Sequence, residues 1–189
     1  MDEVTLRRMT VAEFFDWEPG DDERYELVDG VPAMMARARA EHDQIVVNIL
    51  TEFRTRLRDS QYRAFTADLA VLIPNGNVRC PDAGVNRGPL ARGIMHADAP
   101  CIVFEVLFPS TRNFDLVVKL DEYKTIAALQ HIILVDTDVP RVVHWSRGDD
   151  QIWHYQVLEG TGAAIEFPEP PMVLSFAALY ADVDFTRPS

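Results

Sequence analysis

The 189-residue sequence predicts an α/β domain: helices flank a central mixed β-sheet, with one hairpin near the N-terminus and another near the C-terminus. Three observations carry that expectation. Cys101 to Phe108 and His131 to Val135 are almost wholly apolar and β-rich, the pattern of strands buried on both faces. From Glu41 to Arg58 the apolar residues Ile45, Val46, Ile49, Leu50, Phe53 and Leu57 recur at helical spacing. A second helical stretch, Asn113 to Leu129, lies between the two buried strands, and the order helix, hairpin, helix, strands, helix, strands suggests a central mixed sheet flanked by helices.

The remaining elements follow in order. Thr10-Val-Ala-Glu13 is a capping-box pattern and opens a short helix that ends before Pro19-Gly20. Arg24 to Val28 and Val31 to Met35 form a hairpin about a tight Asp29-Gly30 turn. Phe65 to Ile73 reads as a strand that stops at Pro74-Asn75-Gly76-Asn77, and Val78 to Val85 as the next. Arg141 to Ser146 and Gln151 to Leu158 read as a hairpin across Arg147 to Asp150. Pro168 to Pro171 is a loop, and Phe176 to Tyr180 a short closing helix. The length fits a single domain over residues 1–189, and such a chain buries roughly 70% of its unfolded surface.

Composition narrows the function classes. No apolar run reaches the ~18 residues of a membrane span, and the first apolar stretch is too short for a signal peptide, so a cytoplasmic location is expected. Cys80 and Cys101 lack metal-type spacing and read as reduced, buried thiols. The formal charge of −12 argues against a protein that coats nucleic acid by charge alone. That charge is concentrated: residues 13–29 hold eight acids against Arg24, and residues 149–189 hold seven against Arg187. Between them, Arg37, Arg39, Arg54, Arg56, Arg58 and Arg63 face only Glu41, Asp43, Glu52 and Asp59. This cluster either follows a phosphate backbone or forms a solvated helix face with i,i+4 ion pairs.

Glu105 is the most informative residue. It sits mid-strand among apolar neighbours, where an ionised carboxylate costs several kcal/mol unless a cation or good donors compensate it. A metal ion would do so, and so would a structural ion pair with one of the sixteen arginines. Asp82, after Pro81, joins Glu105 as a hard oxygen donor suited to Mg²⁺ or Mn²⁺, although Pro-Asp alone is also an ordinary turn. The only two lysines, Lys119 and Lys124, lie on the helix after the Glu105 strand. A compact ammonium suits a nucleophile or phosphate, while an Asp115–Lys119 pair at i,i+4 accounts for the position equally well. The two flank the stripe Leu116, Leu120, Tyr123 and Ala127 on opposite sides, so one of them is expected at the site.

Taken together, six short segments in this order resemble a known family. They are Arg24-Tyr-Glu26-Leu-Val-Asp-Gly30, a helix-opening His42, Pro81-Asp82, Val103-Phe-Glu105-Val-Leu-Phe-Pro-Ser-Thr111, Lys119-Leu-Asp-Glu-Tyr123 and Ile133-Leu-Val-Asp136. The chain is similar, from Thr10 to about Tyr180, to the Uma-type restriction endonuclease family of the PD-(D/E)XK nuclease superfamily.

The resemblance implies a restriction-endonuclease-like sheet with Asp82 and Glu105 as metal ligands and the Val106 carbonyl as a further one. It implies Glu26 as an added carboxylate at the rim and Lys119 as the superfamily lysine, moved from the position of Leu107 to the following helix. Phe108 departs from the family, which has a small polar residue before Pro-Ser-Thr. His42 matches a family position, although a helix-start histidine is also an ordinary cap or core contact. The implied activity is Mg²⁺- or Mn²⁺-dependent hydrolysis of phosphodiester bonds in nucleic acid, DNA foremost. Lys119 would position or deprotonate the attacking water, or neutralise charge on the phosphate. Arg37, Arg39, His42, Arg54 and Arg58 are the candidate nucleic-acid contacts. Cutting both strands of a duplex favours a two-fold homodimer. The alternative is a catalytically inactive nuclease-fold module that binds nucleic acid or a protein partner. A nucleophilic hydrolase has no support, since Gly-X-Ser-X-Gly is absent. His131, His144 and His154 read as surface or core residues, and Trp145 and Trp153 as packing residues.

Overall fold

The computed structural model describes residues 8–36, 39–107 and 114–186, with the side chains of residues 114 and 115 also left aside. Arg37, Phe108, Pro109 to Thr111, Asn113 and the Asp115 side chain of the expected Asp115–Lys119 pair therefore lie outside the described residues.

Thr10 and Glu13 close a reciprocal capping box on α1 (Val11–Phe15). Strands β1 (Tyr25–Val28) and β2 (Val31–Met34) then pair about Asp29 and Gly30, whose φ values of 49° and 76° are those of a mirror-image two-residue turn. Helix α2 (Ala40–Arg56) buries Ile45, Ile49 and Phe53, the stripe expected from their spacing. The strand expected over Phe65 to Ile73 is instead two, β3 (Tyr62–Thr66) and β4 (Val71–Leu72). A turn separates them, in which the Leu69 N–H donates to the Thr66 carbonyl at 3.0 Å. The strand expected over Val78 to Val85 is likewise split, into β5 (Val78–Arg79) and β6 (Ala83–Arg87). Pro81 has no N–H for a ladder, so the chain changes sheets across Cys80, Pro81 and Asp82.

Strand β7 (Pro100–Leu107) leads to α3 (Phe114–Lys124) and then β8 (His131–Asp136). Helix α3 ends earlier than its sequence pattern suggests because Arg147 takes the carbonyls of Lys124, Ile126 and Ala127 at 2.9, 3.0 and 2.9 Å. The late hairpin is β9 (Arg141–Arg147) with β10 (Trp153–Glu159). A further hairpin, β11 (Ala164–Phe167) with β12 (Met172–Ser175), turns through the Pro168 to Pro171 loop and is followed by α4 (Phe176–Leu179). The sequence reading contained no strands there.

Six strands form the main sheet in the order β10-β9-β8-β7-β6-β3. All neighbours are antiparallel except β7 and β8, which are joined through α3 as a parallel pair. A smaller sheet, β2-β1-β5-β4, stands beside it. Phe104 and Ile133 face α2 together with Phe53 and Phe167, whereas Val103 and Leu134 face Tyr123 and Leu129 on the α3 side. Burial of β7 on both faces is what makes its one acid, Glu105, conspicuous. No helix among the described residues is long and apolar enough to cross a membrane.

Candidate active site

Glu105 points to the α3 side of β7 and is only 6% exposed. Its Oε1 accepts a hydrogen bond from the Tyr123 hydroxyl at 2.6 Å and lies 3.2 Å from the Lys119 ammonium. Lys119, Glu122 and Tyr123 share one face of α3 because residues three and four apart are neighbours on a helix. Lys124 leaves in another direction and sits 3.6 Å from the Trp145 ring centroid, so one lysine reaches the site and the other packs.

The ammonium of Lys119 also pairs with Glu26 Oε1 at 2.9 Å. Glu26 is buried rather than at a rim, and the hairpin turn at Asp29-Gly30 sets its strand against β5. Cys80 N–H donates to its Oε1 at 2.9 Å, and the Arg79 guanidinium holds its Oε2 at 2.9 Å. Arg79 also binds Glu122 Oε2 at 2.6 Å, while Asn77 donates to Glu122 Oε1 at 2.5 Å. Arg79 thus ties the small sheet to α3 by bridging two carboxylates, a task suited to a planar fork of donors.

Asp82 stands where the chain crosses between sheets, beyond the last β6–β7 pair at Ala83 and Phe104. Its Oδ2 accepts from the Val106 N–H at 2.7 Å and its Oδ1 lies 3.1 Å from His42 Nε2, in the first turn of α2. The Val106 carbonyl faces the same side of the strand as its N–H and is turned toward Asp82.

The electrostatics follow from this crowding. The Glu105 carboxyl is pushed up to about 7: burial raises it most, Lys119 pulls against that, and the charges of Asp82 and Glu26 add to the rise. Burial works against the charge on Lys119, yet Glu105 and Glu26 outweigh it and hold the ammonium above the ordinary lysine range. For His42, burial lowers the imidazole, but the hydrogen bond and charge of Asp82 raise it overall.

Glu26, Asp82, Glu105 and Glu122 are four carboxyl groups against the permanent cations Arg79 and Lys119 and the imidazole of His42, whose charged form Asp82 favours, so the cluster carries at most a small excess of negative charge. A divalent cation fits that excess, and Asp82, Glu105 and the Val106 carbonyl are hard oxygen donors of the kind Mg²⁺ and Mn²⁺ take. Among the described residues no three His, Cys, Asp or Glu side chains form a group that could by themselves hold a metal ion.

A family model, Uma2, described as "Putative restriction endonuclease", matches residues 11–178. The chain belongs to the Uma2 family. Two relatives come from Synechocystis: the uncharacterized protein sll1609 is 29% identical over 168 residues, covering 87% of this chain and 95% of its own. The uncharacterized protein slr1290 is 30% identical over 148 residues, covering 77% and 78%. Among solved structures, "a putative nuclease belonging to DUF820" from Anabaena variabilis superposes with a TM-score of 0.72 at 19% identity, covering 92% of this chain and 98% of that one. This likeness shows the restriction-endonuclease-like fold expected from the sequence.

The structure brings together Glu26, Asp82, Glu105, Lys119, Val106 and His42. It does not gather the described arginines Arg39, Arg54 and Arg58 around them. Arg39 is the N-cap residue of α2, whereas Arg54 follows His42 by twelve residues on the same helix, roughly 18 Å along its axis, and Arg58 lies beyond its end. Arg56 pairs with Glu52 at 2.9 Å, and Arg63 donates to the Ser60 and Tyr62 carbonyls. Sequence reasoning missed Arg79, Glu122 and Tyr123 as parts of the site. The last two were visible as the i+3 and i+4 neighbours of Lys119, while Arg79 carries no local signal. Of the two cysteines, Cys101 is buried and Cys80 only half-buried, and both are free thiols.

Proposed function

We propose that this Uma2 protein hydrolyses phosphodiester bonds in nucleic acid, DNA foremost, at the cluster formed by Glu26, Asp82, Glu105 and Lys119. The observation that carries the reading is that carboxylates from β1, from the crossing before β6 and from β7 converge around one ammonium. Strands brought together from distant sequence rarely bury that much like charge without a use for it.

Asp82, Glu105 and the Val106 carbonyl would hold a divalent cation, Mg²⁺ or Mn²⁺. Such an ion supplies Lewis-acid polarisation of a phosphoryl oxygen and a more acidic bound water. Lys119, kept as an ammonium by two carboxylates, offers fixed positive charge to a phosphate as charge develops on it, which favours that role over deprotonation of water. Glu26 and Tyr123 fix where Lys119 and Glu105 point. His42 orients Asp82 from the start of α2. Action on both strands of a duplex calls for two such sites, hence a homodimer.

One observation favours a second reading, a nuclease fold that binds nucleic acid or a protein partner without cutting. Both oxygens of Asp82 and both of Glu26 already have protein partners, so the cluster is stable as it stands. Calorimetric titration of Mg²⁺ and Mn²⁺ into the wild type and the Asp82→Ala/Glu105→Ala chain separates the two. Binding by the wild type alone, followed by metal-dependent cleavage of DNA, is the expected result. Absence of binding to a folded wild type, with and without DNA, overturns the catalytic reading.

A further inference from the structure

Strand β10 forms one edge of the main sheet, and hydrogen bonds fix which of its backbone groups face outward. Gly148 N–H donates to the Ile152 carbonyl at 2.8 Å, and Gly160 N–H to the Pro140 carbonyl at 2.9 Å. Even-numbered residues of this stretch therefore turn toward β9, while Trp153, Tyr155, Val157 and Glu159 turn their N–H and carbonyl groups away from the sheet. No strand among the described residues pairs with them.

The other edges of the two larger sheets are guarded. Strand β2 carries Pro32, β4 is two residues long, and beside β3 the Arg63 guanidinium occupies the Ser60 and Tyr62 carbonyls. Strand β10 runs seven residues with no proline, glycine, lysine or bulge, and exposes Tyr155 at 63% and Val157 at 43%. A long, flat, apolar edge is a template for another strand.

We propose that this edge joins two copies of the chain, by antiparallel pairing of β10 with β10 about a two-fold axis at Gln156. The sequence is self-complementary in that register. Tyr155 faces the partner's Val157, and Trp153 faces the partner's Glu159, so all four outward N–H groups of each protomer find acceptors. Moving the axis to Tyr155 would set Glu159 opposite the partner's Gln151, which is in a turn at φ 64° and cannot extend the ladder. On the α3 face, Trp145, Tyr155, the partner's Val157 and the partner's Val143 make one apolar row, repeated by symmetry. Charge fits as well. Each Glu159 is already paired with its own Arg141 at 3.1 Å, and Arg147 stands 4.8 Å from the Trp153 ring, so the partner's Glu159 is set opposite Trp153 as half of an ion pair with a second cation nearby. On the other face the two Gln156 amides meet, each able to donate and accept.

The result is one continuous sheet with both Glu105 residues on the same face, since Glu105, Val103 and Trp145 share a side. The pairing does not rest on the phosphodiester reading, and its test needs no activity. An interface this short belongs to the small size class, so a dissociation constant of roughly 1–100 µM is expected.

Sedimentation velocity of the full chain across that range should show monomer giving way to dimer. Val157→Lys should weaken the dimer by about tenfold or more with an unchanged circular dichroism spectrum. Gln156→Cys should form an intermolecular disulfide on mild oxidation, because the axis sets that position against itself. His154→Cys, which would face the partner's Leu158, should not. A wild type that stays monomeric throughout, a dimer that survives Val157→Lys, or equal cross-linking of both cysteine variants overturns the proposal.

Discussion

Tyr123 donates its hydroxyl to Glu105 at 2.6 Å from one helical turn beyond Lys119, so a single face of α3 supplies two of the buried carboxylate's partners. Tyr123 is itself only 1% exposed, and its ring packs with Val103 and Leu134 on the sheet. Tyr123→Phe keeps that packing and removes one donor from a carboxylate that is only 6% exposed. The expected cost is about 1–3 kcal/mol of folding stability, read as a lowered urea midpoint with an unchanged slope. An unchanged midpoint would mean that the hydroxyl does not support Glu105.

Arg79 bridges Glu26 and Glu122, and its removal leaves two buried carboxylates short of a cation. Arg79→Met should destabilise the fold by about 3–5 kcal/mol. Arg79→Lys should recover only part of that loss, since one ammonium cannot span both carboxylates as the guanidinium does. A double-mutant cycle with Glu122→Gln should give a coupling energy of about 0.5–3 kcal/mol. Additive single effects would show that the bridge is not a unit.

Much of this was legible in the sequence. Strand β7 stood out as an apolar run, and Glu105 stood out because an acid there needs compensation. Lys119 was visible through the scarcity of lysine, and α2 through its periodicity. What escaped reading depended on distant partners. Arg79 meets Glu122 and Glu26 across 43 and 53 residues of chain, and nothing local marks such a bridge. The split between β5 and β6 rests on Pro81, which reads as a simple turn until the second sheet is known. Strands β11 and β12 are four residues each, too short for alternation to register, yet they deliver Phe167 and Leu174 to the core.

Lys119 is held between Glu26 and Glu105, so its charge and its position can be separated experimentally. Lys119→Met should lower the rate of metal-dependent DNA cleavage on the order of 10²-fold or more, measured on supercoiled plasmid with Mg²⁺ or Mn²⁺. Lys119→Arg keeps the charge but spreads it over a larger planar group in a buried space, and should restore only a fraction of the rate. Full activity in the Met variant would remove the ammonium from the mechanism.

His131 and His144 supply a pH dependence that lies apart from the carboxylate cluster. His131 Nδ1 lies 3.0 Å from His144 Nε2, both rings are buried, and Phe167 packs against each. The other polar neighbour is Gln156, whose amide lies 3.3 Å from His144 Nδ1. Burial pushes both imidazoles down to about 4, and His144 adds to the lowering of His131. The unfolded chain, with histidines near their ordinary 6.5, therefore binds more protons than the folded chain between about 6.5 and 4. The stabilisation from keeping this pair neutral is fully present above about 6.5 and is lost as pH falls through about 4. Urea midpoints should drop steeply over that window. Glu105, raised to about 7, titrates near the same window with the opposite sign, so the histidine share is isolated with His131→Phe, which should flatten the decline between pH 6.5 and 5 relative to the wild type. An equally steep decline in that variant would assign the acid sensitivity to other groups.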